Sequence, residues 1–173
     1  MKRIAAAGLC ALALGTATLE AQVDIREAAP PPGSGEFKSP ATLTFAIPSF
    51  GAFPPYSEHS FKGTLGSFIN DAELQSLSLN RWKTKKGVIP LRLEGMIRVR
   101  TSHDKEVHIK ATILAPDGRV LATASTKRFE AEERQQTRIP SLKLALPEQT
   151  AAALAPGDRL KLELLINVYG PGS

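Results

Sequence analysis

The longest alternation in this chain is its last apolar run. Leu160, Leu162, Leu164, Ile166 and Val168 fall on one parity, and Lys161, Glu163 and Asn167 on the other. Successive side chains of a strand point to opposite faces, so such a run makes a strand with one buried and one wet face. The pattern recurs along the chain. Leu43, Phe45 and Ile47 share a face within residues 41–47. Leu91, Leu93, Ile97 and Val99 oppose Arg92, Glu94, Arg98 and Arg100. Val107, Ile109, Ala111 and Ile113 oppose His108, Lys110 and Thr112. Two noisier stretches, 120–129 and 138–146, read as further strands.

Between these runs lies turn chemistry. Ala115-Pro116-Asp117-Gly118 closes a hairpin, with glycine taking the positive-φ position. Residues 101–106 form a polar turn between two other strands. Helical periodicity is nearly absent. Residues 147–154 begin with Pro147, are rich in alanine and stop before Pro156-Gly157, which marks a short crossover helix. Asn70 and Glu73 are placed to cap another helical turn ahead of Leu74 and Leu77. Six or more strands joined by short turns predict an all-β domain over residues 41–173. Its expected form is an antiparallel β-sandwich, immunoglobulin-like or jelly-roll, with one short crossover helix.

The segment ahead of that domain reads as an export signal. Lys2 and Arg3 precede residues 4–17, which carry no charge, and the small residues Ala17 and Ala21 follow as cleavage positions. This is a signal-peptide layout over residues 1–21. The apolar run is shorter than the ~20 residues of a spanning helix, so no transmembrane anchor is expected. Residues 22–40 contain Pro30-Pro31-Pro32 and Gly33-Ser34-Gly35, a composition that predicts a disordered arm. The single cysteine, Cys10, lies inside the leader after Leu9 rather than a small residue, which does not fit a lipoprotein signal. The mature chain would then have no thiol, although its compartment permits disulfides. The expected location is the periplasm or the medium.

Composition narrows the partners. The chain has 22 Lys+Arg and 17 Asp+Glu, for a net charge of +5. Loss of Lys2, Arg3 and Glu20 with the leader leaves +4. So mild an excess on an exported protein argues against nucleic acid as a partner.

No catalytic motif is complete. The chain lacks a Gly-x-Ser-x-Gly elbow, a His-Glu-x-x-His pair, a phosphate loop and an EF-hand. Ser102-His103-Asp104-Lys105 contains the residue types of a hydrolytic triad. Consecutive turn residues cannot place an imidazole between a serine and a carboxylate, however, and Ser-x-x-Lys needs a helical turn. The three histidines, His59, His103 and His108, are too scattered for a zinc site. No catalytic residue, metal or cofactor is assigned.

Two segments suit binding instead. Phe50, Phe53 and Tyr56 surround Pro54 and Pro55, a stiff aromatic loop of the kind that stacks on sugars or proline-rich peptides. The second segment centres on Trp82. If Leu77 and Leu79 face the core, Trp82 has the opposite parity and stands outside, beside Arg81, Lys83, Lys85 and Lys86. The leading functional expectation is an exported, non-catalytic interaction domain that binds another envelope or extracellular protein. The alternative is a glycan-binding module that uses the aromatic loop and Trp82 on a polysaccharide. A hydrolase or metalloprotein ranks third.

The leader makes a direct prediction. Mass spectrometry of the exported protein should find a mature amino terminus between residues 18 and 24. An intact Met1 on protein retained in the cytoplasm would refute the leader.

Overall fold

The computed structural model of this protein describes residues 24–27, 40–61, 68–69, 71–155 and 157–170. In chain order the strands are β1 (Asp24–Glu27), β2 (Ala41–Ile47), β3 (Ser57–Ser60), β4 (Phe68–Ile69), β5 (Ala72–Arg81) and β6 (Val88–Val99). They continue with β7 (Lys105–Leu114), β8 (Val120–Ser125), β9 (Phe129–Ala131), β10 (Gln136–Arg138), β11 (Leu142–Pro147) and β12 (Leu160–Tyr169). A short helix, α1 (Glu148–Ala152), joins β11 to β12.

The strands form two antiparallel sheets, and the fold is a β-sandwich. The first sheet has the order β1-β2-β12-β7-β8, with β9 also on β7. The second has the order β10-β6-β5-β3, with β11 also on β6 and β4 also on β5. The helix is therefore the crossover between sheets that the alanine-rich segment predicts. The signal peptide expected at 1–21 lies outside the described residues. Within the stretch expected as an arm, Asp24–Glu27 pairs with β2, placing Asp24 opposite Thr44.

Alternation becomes burial. In β12, Leu160, Leu162, Leu164, Ile166 and Val168 are buried, with Lys161 exposed between them. Leu162 pairs with Phe45 on one side and Ile113 on the other, and Leu164 with Leu43 and Ala111. The second sheet answers with Leu74, Leu77 and Leu79 from β5, Ile89, Leu91, Leu93, Ile97 and Val99 from β6, and Leu142, Leu144 and Leu146 from β11. These residues belong to one continuous core.

The noisier stretches are noisy because the strands break. Between β8 and β9, the Thr126 amide donates to Ile109 O at 2.9 Å, and the Ile109 amide donates to Thr126 Oγ1 at 3.0 Å. A buried hydroxyl thus replaces a missing backbone acceptor. Between β10 and β11 the Ile139 amide donates to Gly95 O at 3.0 Å, and Ile139 is buried.

Residues 72–81 form a strand, not the helical turn expected ahead of Leu74 and Leu77. The cause is a bulge: the pairing of β5 with β6 shifts register between Leu74 and Ser76. One extra residue lets Leu74 and Leu77, three apart, both face inward. That spacing is the one an amphipathic helix shows. The bulge presses on β6, where a Cβ on Gly95 would lie 2.5 Å from the backbone oxygen of Ser76. No helix among the described residues is long and apolar enough to cross a membrane.

Gly95→Ala therefore forces backbone apart in the middle of a sheet. It should cost about 1–3 kcal/mol, the usual range for overpacking. Urea denaturation measures this, and an unchanged midpoint would refute the close approach.

Candidate functional site

The site begins with a hairpin. Residues 85–88 join β5 to β6, with Lys85 N donating to Val88 O at 2.9 Å and Val88 N to Lys85 O at 3.1 Å. Lys86 and Gly87 have φ of 53° and 71°, as a type I′ turn requires. Lys83, Lys85 and Lys86 are exposed at this end. The Trp82 amide donates to Pro90 O at 3.0 Å, which holds Trp82 on the ladder just past β5.

The aromatic loop lies against the same hairpin. Residues 50–52 form one 3-10 turn, Phe53 is buried, and Phe50 packs against the core. Arg81 fastens the loop. Its Nη1 donates to Phe50 O at 2.9 Å and also to Phe53 O, and its guanidinium lies 5.0 Å from the Phe50 ring centroid. Its Nε is buried with no hydrogen-bond partner among the described residues. Burial pushes the guanidinium below its usual pKa, and the charge of Glu148 works the other way. The end of β5 thus turns an arginine inward, where the sequence suggests a surface cation.

The loop then delivers Tyr56. Its amide donates to Arg81 O at 2.8 Å, and its φ is 60°. A bulky side chain in left-handed backbone is uncommon and strained. Here the strain places a ring in solvent: Tyr56 is 71% exposed, and Trp82 is 46% exposed. The two rings meet edge to face, with centroids 6.2 Å apart and an interplanar angle of 76°. Arg92, from β6, lies 5.6 Å from the Trp82 ring. Beside the rings is a shallow cleft of about 250 Å³, lined by Tyr56, Ser57, Glu58, Asn80, Arg81 and Trp82.

Of the residues singled out in the sequence, the structure brings Tyr56 and Trp82 together. It sends Phe50, Phe53 and Arg81 inward and leaves the three lysines at or near the hairpin tip. Glu58, Asn80 and Arg92 also belong to this surface. Their side chains share a face only because β3, β5 and β6 lie in register, with Glu58 opposite Asn80 and Asn80 opposite Arg92. No local pattern announces that.

The remaining candidates are dispersed. Thr101 Oγ1 donates to His103 O at 3.1 Å, and the Glu133 amide donates to Asp104 Oδ1 at 2.7 Å. The Asp104 carboxylate also bears on Glu130, whose pKa is raised by hydrogen bonding to Asp104 and by the negative charge of Asp104 and its neighbours. Among the described residues no group of three His, Cys, Asp or Glu is placed to hold a metal ion. His59 lies in β3, edge-on to Phe61 at 4.8 Å and to Phe53 at 6.5 Å. Partial burial beside these rings lowers its pKa. No protein-family model matches the chain, and no curated protein matches it.

His59 sets a pH dependence with a definite sign. The unfolded chain takes up a proton on this histidine more readily than the folded one does. Stability should therefore fall as pH drops through the free-histidine range near 6.5 and toward the lower folded value. Urea midpoints measured from pH 7.5 to 5 should show the decline, and His59→Phe should flatten it. An equal slope in the variant would remove His59 as its source.

Proposed function

We propose that this chain is an exported, non-catalytic β-sandwich domain that binds a polysaccharide through the Tyr56–Trp82 cleft. The observation that carries this reading is the pair of exposed rings, one of them held outward by left-handed backbone. Among the described residues, Tyr56, Trp82 and Val120 are the exposed large hydrophobics, and the first two touch. A stable protein interface buries about 800 Å² on each partner around a dry apolar centre. Two rings over a shallow polar cleft form a smaller and wetter surface than that. They suit a ligand that is flat and apolar on its ring faces and hydroxylated at its rim. The C–H face of a pyranose stacks on an aromatic ring, and its hydroxyls find Glu58 and Asn80.

The non-catalytic reading is supported by the same geometry. Ser102, His103 and Asp104 lie along one exposed turn, and Asp104 Oδ1 accepts from the Glu133 amide rather than from an imidazole. Export rests on the leader in the sequence.

Trp82→Ala and Tyr56→Ala should each leave the melting temperature nearly unchanged, because both rings lie outside the core. Each should weaken polysaccharide binding about tenfold or more, the scale of one lost aromatic contact. Affinity electrophoresis against a panel of soluble polysaccharides measures this. Undiminished binding by the double variant would overturn the reading. Preferential binding of a proline-rich peptide would return the protein-partner expectation to first place.

A further inference from the structure

We propose that the ligand is an acidic polysaccharide: uronic acid units whose rings lie on Tyr56 and Trp82 and whose carboxylates reach Arg92 and Lys143. The inference rests on the polysaccharide-binding reading above and adds the ligand's charge.

Strand register supplies the first observation. Glu58 pairs with Asn80, Asn80 with Arg92, and Arg92 with Lys143. These residues alternate with buried positions in β5, β6 and β11, so the row runs across the outer face of the second sheet. The row borders the two rings, because Trp82 is held at Pro90, two residues before Arg92. Its charge is graded, with one carboxylate at the β3 edge and two cations toward β11.

The second observation is the state of Arg92. Arg100, Arg119, Arg128 and Arg138 each lie within 3.8 Å of a carboxylate. Arg92, like Arg98, Arg134 and Arg159, has no carboxylate partner among the described residues, and what sets it apart is its place over the Trp82 ring, 5.6 Å from the centroid. A guanidinium stacked on an indole keeps its planar N–H donors free, and a carboxylate is the group that matches them two at a time. Lys143, exposed beside it, adds a mobile second charge. Adjacent strands lie about 4.8 Å apart, close to the length of one sugar unit in an extended chain. A polymer crossing the strands therefore meets ring, hydroxyl partner and cation in turn. Glu58 and Asn80 serve hydroxyls at the β3 end, where a unit turns its own carboxylate away from Glu58 toward solvent.

The test uses the purified protein with three soluble polymers: polygalacturonate, a neutral galactan and polyglutamate. Binding is followed by tryptophan emission and calorimetry. Polygalacturonate should bind most tightly and weaken as salt rises. Polyglutamate, which has charge without sugar rings, should bind at least about tenfold more weakly. Arg92→Gln and Lys143→Gln should each lower polygalacturonate affinity about tenfold, the scale of a lost charge-assisted hydrogen bond. Lys143 is exposed, so its variant decides the matter if Arg92→Gln fails to fold. Equal binding of galactan, with Lys143→Gln indifferent and Trp82→Ala still damaging, would overturn the acidic ligand and keep the cleft. Equal binding of polyglutamate would overturn the sugar. Failure of all three polymers to bind would overturn this inference, and a different neutral glycan that binds and is lost in Trp82→Ala would still uphold the polysaccharide reading.

Discussion

The contact between the two inner sheet faces is what everything else in this molecule depends on. A chain with one cysteine cannot cross-link itself, and the described residues show no metal cluster that would clamp it. Order must then come from apolar area removed from water. β12 shows how this works. It lies between β2 and β7, so Leu162 and Leu164 are gripped from both sides within the sheet and belong to the core shared with the opposite sheet. The last of the described strands thus holds a central place in the first sheet, and that sheet is incomplete until β12 joins it.

Regular alternation made most of this architecture legible. β2, β6, β7 and β12 read correctly from parity alone, and so did the hairpin at Asp117-Gly118, where Gly118 has φ of 84°. The failure at β5 has a physical origin. A bulge imitates helical spacing over four residues, and Asn70 and Glu73 happen to resemble a cap. The site was half legible for a related reason. Trp82 could be placed because its parity is a local property. Arg81 could not, because its partners are the carbonyls of Phe50 and Phe53, about thirty residues back. Arg92 and Lys143 become a pair only when β6 and β11 lie side by side.

The surface reading joins strain to anchorage. Arg81 ties the aromatic loop to the end of β5, and its carbonyl accepts the Tyr56 amide. One residue therefore fixes the loop beneath and the exposed ring above. Tyr56 is held in a costly backbone conformation by contacts that lie in the folded scaffold. Such a ring would lose little freedom on meeting a ligand, and the proposed binding at so small a cleft draws on that preorganisation.

The broken outer strands of the two sheets have a consequence for the molecule's behaviour in company. The inner strands run from seven residues in β2 to twelve in β6. Every outermost strand among the described residues is shorter. β8 and β11 have six residues, β1 and β3 have four, and β4, β9 and β10 have two or three. An unpaired strand margin invites another chain to add to it, and short, interrupted margins resist that. The gaps at Thr126 and Ile139 split two of these margins in the middle. A second molecule seeking to extend either sheet would meet a ledge of six residues at most, then a step.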